Sequence, residues 1–126
     1  MKAYLPKKFE VSIGGFAGPS YRVMKSDSGL IYTAFQTRNE FQDDMRICPS
    51  REQWLLFWDQ VDKIDIWNWK LRYENRNTLD GTSWLVHIEK EDKVANSSGS
   101  NAFPDNDLFD EFLAAIRRLL GGPNFV

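Results

Sequence analysis

Phe9, Val11 and Ile13 alternate with Glu10 and Ser12, and a period of two marks a strand with one buried face. The glycine-rich stretch GGFAGPS breaks the pattern. Tyr21 and Val23 then alternate with Arg22 and Met24 as a second strand, SDSG at 26–29 turns the chain, and LIYTAFQ supplies a third strand. Residues 37–48 show no period and read as a polar loop.

The period changes at Ser50. SREQ is a capping box, with Ser50 at N-cap and Gln53 three residues on. Trp54, Phe57, Trp58 and Val61 recur at helical spacing on one side, with Leu56 on the other, and the helix is predicted to stop at 62–64. WNWKLRYE then reads as a strand, with Trp67, Trp69, Leu71 and Tyr73 inward and Asn68, Lys70, Arg72 and Glu74 outward. Asp80-Gly81 is the expected turn before another strand, in which Trp84, Val86 and Ile88 face inward and Leu85, His87 and Glu89 outward. A short strand follows at 93–96.

The last helix is predicted over 105–120, with Asp105 as N-cap. Leu108, Phe109, Phe112, Leu113, Ile116 and Leu119 form its apolar side, acids lead it, Arg117 and Arg118 close it, and Gly121-Gly122-Pro123 stops it. SSGSNAF, between the short strand and this helix, is either a joint or a ligand loop. The acids after it disfavour an anion, so the joint is preferred.

The order strand, strand, strand, helix is written twice. Pro49 and Pro104, and Trp54 and Phe109, stand at one common offset. The expectation is an α+β domain over 1–126, built of pseudo-repeats at about 9–64 and 66–120. A single antiparallel sheet of about six strands would carry both helices on one face. That would leave the other face bare, with Arg22, Met24, Ile31, Thr33, Phe35, Lys70, Arg72, Leu85, His87 and Glu89 on it.

Composition sharpens this picture. Five Trp and nine Phe in 126 residues supply enough apolar bulk for a core without staples. Trp54, Trp58, Trp67, Trp69 and Trp84 are assigned to that core. The net charge of −2 gives no basic field, so nucleic acid is not expected as a partner. Cys48 is the single cysteine, so an internal disulfide is excluded, and no apolar run suggests a leader or a span. A cytoplasmic protein with no membrane partner is the expectation, and the Asn96-Ser97-Ser98 acceptor pattern then carries no meaning.

Chemistry-bearing residues are sparse. GGFAGPS lacks the Lys-Ser/Thr ending of a phosphate loop and reads as a hairpin connection. His87 is the single histidine, so any imidazole base or zinc site depends on it. Cys48 near a helix start has no base beside it, and Asp59, Asp62 and Asp65 have Lys63 among them and no calcium-loop glycine. No catalytic residue, metal site or cofactor is therefore expected. The preferred reading is a small non-catalytic domain that meets a protein partner, or a second copy of itself, through the bare face. Arg22, Phe35, Lys70, Arg72, Leu85, His87 and Glu89 are its candidate contacts. The alternative is a small-ligand binder or enzyme with a polar pocket around His87, Arg72 and the Ser97–Asn101 loop.

Overall fold

The computed structural model describes residues 4–15, 19–27, 29–37, 40–41, 44–74, 81–104 and 107–125. These form an α+β fold in which a mixed sheet carries two helices. In chain order the elements are β1 (Lys8–Gly15), β2 (Ser20–Ser26), β3 (Gly29–Thr37), β4 (Glu40–Phe41), β5 (Met45–Ile47), α1 (Arg51–Lys63), a 3₁₀ turn (Ile66–Asn68), β6 (Arg72–Glu74), β7 (Thr82–Lys90), β8 (Lys93–Ser100) and α2 (Leu108–Leu120). The strands lie in the order β4-β3-β2-β1-β7-β8-β6, with β5 also paired to β3.

In β1 and β7 the alternation read in the sequence is the alternation observed. Val11 pairs with both Val23 and Val86, Val23 with Tyr32, and Val86 with Ser97, so one face of the sheet collects the apolar side chains. Trp54 and Phe57 of α1 pack on Phe9, with ring centroids 5.7 Å apart in both pairs. Phe109 of α2 packs on Trp84 at 4.8 Å. Phe9 and Trp84 belong to the same face, since Phe9 pairs with Ile88 and Trp84 with Ile13. Both helices therefore cover one side of the sheet, and they touch each other above it. The C-terminal segment closes the same side: Tyr32 Oη donates to the Asn124 carbonyl at 2.6 Å, and Phe125 is buried against Tyr21. Burial, and then the neighbouring Tyr21, push the Tyr32 phenol above its ordinary pKa.

Helix α1 begins where its capping box puts it. The Gln53 N–H donates to Ser50 Oγ at 3.1 Å, and the Ser50 N–H donates to Gln53 Oε1 at 2.8 Å. Ser50→Ala is expected to lower stability by about 1 kcal/mol and Tm by roughly 3–5 °C, checked by thermal unfolding followed by circular dichroism. Helix α2 ends on Gly121 at φ 78°, with the Gly121 N–H donating to the Arg117 carbonyl at 3.1 Å. It begins at Leu108 with Asp107 at the cap position, and no side chain caps it there. The predicted cap Asp105, and Asp80 of the predicted turn, lie outside the described residues.

Five expectations are corrected. Among the described residues the sheet has eight strands, not about six, because Glu40–Phe41 and Met45–Ile47, read as loop, pair with β3. It is not wholly antiparallel, because β6 runs parallel to β8. The tight β7–β8 hairpin, closed at Lys90 and Lys93, occupies the place beside β7. A strand that reverses into β7 then runs in the same direction as β8, and takes its free edge. The first half is a meander and the second is not, so the equivalence of the halves does not extend to β6.

WNWKLRYE is not one strand. Asp65 adopts a left-handed φ of 57° and starts the 3₁₀ turn. The indoles bond back to the end of α1: Trp67 Nε1 donates to Asp62 Oδ1 at 2.7 Å and Trp69 Nε1 to the Ile64 carbonyl at 3.1 Å. Only Arg72–Glu74 pairs as a strand, and Leu71 is 68% exposed rather than inward.

The Ser97–Asn101 stretch is not a loop. β8 continues through Ser100, with Ser97 and Gly99 buried on the helix side and Ser98 and Ser100 on the bare side. Ser97 Oγ donates to the Lys70 carbonyl at 2.5 Å, tying this strand to the approach to β6.

Candidate functional site

The side of the sheet away from the helices is open, and the strand register orders its residues in rows. One row crosses the sheet as Thr33, Arg22, Ser12, Leu85, Ser98 and Arg72. The next runs Ile31, Met24, Glu10, His87 and Asn96. On the other side of the first row, Phe35 pairs with Ser20, Ser20 with Gly14, Gly14 with Ser83, and Ser83 with Ser100.

Six of the seven candidate contacts fall on this face. Arg22, Leu85 and Arg72 share a row, His87 and Glu89 follow Leu85 along β7, and Phe35 stands one row away. Lys70 does not join them. It precedes β6, and its Nζ lies 5.8 Å from the centre of the Tyr73 ring, which itself packs on Trp84 beneath the helices. Thr33, expected on the bare face, is 2% exposed, and its Oγ1 donates to Asp44 Oδ1 at 2.6 Å.

Ion pairs occupy much of the charge. Arg72 Nε lies 2.7 Å from Glu74 Oε1, His87 Nε2 lies 3.1 Å from Glu89 Oε2, and Lys8 Nζ lies 3.6 Å from the same oxygen. The hydrogen bond from His87, with the charge of Lys8 beside it, holds the Glu89 carboxyl below its ordinary pKa. Arg22 and Glu10 make no ion pair among the described residues, although both stand on this face.

A groove of about 610 Å³ opens among the central strands. Small residues, Ser12, Gly14, Ser20, Ser83 and Ser100, line it together with Arg22, Glu10 and Phe35. Asn101 lines it as well, and neither His87 nor Arg72 does, so this groove does not bring together the three elements of the ligand-pocket alternative. Sequence reading overlooked Glu10 as a contact. Its outward direction was legible from its position between Phe9 and Val11. Its place at the centre depends on β1 being the middle strand of the row, which no local pattern reports.

The other chemistry-bearing residues stand apart. Cys48 is exposed. Asp59 pairs with Lys63 at 3.1 Å, Asp62 accepts from Trp67, and Asp65 accepts from Asn68 at 2.8 Å. Among the described residues no group of three or more His, Cys, Asp or Glu is placed to hold a metal ion, and no helix is long and apolar enough to cross a membrane. Compared with protein-family models, with curated proteins and with solved structures, the chain matches none of them.

Proposed function

We propose that this chain is a small non-catalytic interaction domain whose contact surface is the open face of its sheet. The observation that supports this reading is the one-sided covering of the sheet. Both helices and the C-terminal segment lie on one side, and the other presents Met24 and Leu85, 38% and 37% exposed, among charged neighbours. Apolar groups ringed by charge are the composition of a contact patch.

The edges of the sheet argue the same way. An exposed edge recruits partners by strand addition only when it is long enough to pair. Here one end of the row is a three-residue strand bearing Arg72 and Glu74, and the other carries two strands of two and three residues. The face is the broader surface. Its chemistry suits protein better than a charged polymer, since the bases Lys8, Arg22 and Arg72 share the face with the acids Glu10, Glu74 and Glu89.

The test compares proteins retained from the source cell's extract by three tagged forms. The wild type and Leu56→Asp, altered on the outward side of α1 where Leu56 is 50% exposed, are expected to retain the same protein. Phe35→Ala/Arg72→Ala, altered on the open face, is expected to lose it while unfolding at an unchanged midpoint. Retention by the open-face variant equal to wild type would remove this reading.

A further inference from the structure

We propose that the open face closes against the same face of a second copy of the chain, with Arg22 of each copy meeting Glu10 of the other. This rests on the reading of the open face as a contact surface and names its occupant. The argument starts from charge. Lys8, His87 and Arg72 have carboxylate partners on this face within their own chain, and Arg46 pairs with Asp27 at 3.8 Å. Arg22 and Glu10, one of each sign, have no such partner among the described residues. They sit near the centre of the seven-strand row, on β2 and β1. Asp44, whose Oδ1 accepts from Thr33 beside Arg22, adds a second carboxylate without an ion pair. A surface with unmatched charges of both signs can be complementary to itself, as a contact between identical patches about a two-fold axis requires.

The register supplies the geometry. Arg22 lies beside Ser12 and Met24 beside Glu10, so Arg22 and Glu10 occupy one diagonal of a four-residue square on β1 and β2. Leu85 extends the row of Arg22 and Ser12 onto β7. With strands ~4.8 Å apart and same-face residues ~6.8 Å apart along a strand, the line from Met24 to Leu85 crosses the Arg22–Glu10 diagonal near a right angle. A two-fold axis laid parallel to that line, midway between two facing sheets, carries Arg22 opposite Glu10 of the second copy. It also brings Met24 and Leu85 opposite their own counterparts. One symmetry operation thus pairs Arg22 with Glu10 and buries Met24 and Leu85 at the centre, where contact energy concentrates.

The area is adequate. The strands β3, β2, β1, β7 and β8 span roughly 24 Å by 23 Å, or roughly 550 Å² in projection. Accessible area exceeds projection, which brings the face toward the ~800 Å² per partner of a standard interface. Many of its residues are serine, so the dimer is expected to be weak and reversible.

Sedimentation equilibrium from about 10 µM to about 500 µM, a range suited to a small polar interface, tests this by charge exchange. The wild type is expected to move from monomer toward dimer across that range, and less so as salt rises. Arg22→Glu alone sets two carboxylates against each other at each contact, and Glu10→Arg alone sets two guanidinium groups against each other. Each is expected to weaken association at least about tenfold. An equimolar mixture of the two variants restores opposite charges at both contacts. It is expected to dimerise within about threefold of wild type, because one variant presents only acids and the other only bases. Circular dichroism of each variant confirms that the fold is kept. A wild type that stays monomeric throughout overturns the dimer, and leaves the retention experiment to judge the face itself. A wild-type dimer whose two variants fail to recover on mixing overturns the Arg22–Glu10 pairing.

Discussion

Gly99→Ala is expected to destabilise the fold by about 2–4 kcal/mol, combining overpacking with a strained or lost buried hydrogen bond. A methyl group at this position would lie 2.3 Å from Trp84 Nε1 and 2.6 Å from both Trp84 Cε2 and the Ala102 carbonyl oxygen. Neither neighbour is free to retreat. The Trp84 N–H donates to that same carbonyl at 3.0 Å, and the ring is enclosed by Phe109 at 4.8 Å, Tyr73 at 5.8 Å and Trp69 at 6.1 Å. Gly99 is thus the seat of the Trp84 indole, and the small residues of SSGS include one whose lack of a side chain is a packing requirement. Urea unfolding measures the effect. Ser98→Ala, one residue away on the open face, is expected to change stability by less than about 0.5 kcal/mol. Equal midpoints for Gly99→Ala and wild type would show that the ring does not rest there.

The largest effect is expected from Phe112→Ala, about 3–5 kcal/mol. Phe112 is fully buried on α2, edge-on to Trp69 at 5.7 Å and beside Phe109 at 6.4 Å. Its removal opens a cavity between α2 and the tryptophans that anchor the 3₁₀ turn and β7. The surrounding rings cannot close that cavity without leaving their own contacts. In a domain whose total stability is about 5–15 kcal/mol, the variant is expected to unfold at a much lower urea concentration and to show altered tryptophan fluorescence. Leu56→Ala, facing outward on α1, is the control and is expected to stay within about 0.5 kcal/mol. A loss below about 1 kcal/mol for Phe112→Ala would mean that α2 is not held by its aromatic face.

Much of this architecture was legible residue by residue. The capping box at Ser50, the buried stripe Trp54, Phe57, Trp58 and Val61, the stop after Lys63 and the inward set Trp84, Val86 and Ile88 were all read from spacing and then observed. These features depend on neighbours within a turn or two, so the chain states them locally. WNWKLRYE shows how the same reasoning misleads. Alternation was present, but Trp67 and Trp69 owe their positions to hydrogen bonds with Asp62 and Ile64 rather than to a pleat. Ser97–Ser100 misled in the opposite sense, because small polar residues resemble a loop until a tryptophan from the neighbouring strand is found to need the space.

The candidate site was legible in part. That Arg22, Leu85, His87 and Glu89 point away from the core followed from periodicity alone. That Arg22, Ser12, Leu85, Ser98 and Arg72 form one row, with Glu10 in the row beside it, required the pairing of β1 with β7, strands from opposite halves of the chain. Periodicity, caps and the apolar face of each element were written in the amino acids, because side-chain burial within an element follows from backbone geometry over a few residues. Strand order, the parallel placement of β6 and the bare face with its central pair of charges were decided only on folding. Backbone pairing is indifferent to which strands meet, and the packing of α1 and α2 on one side made the choice.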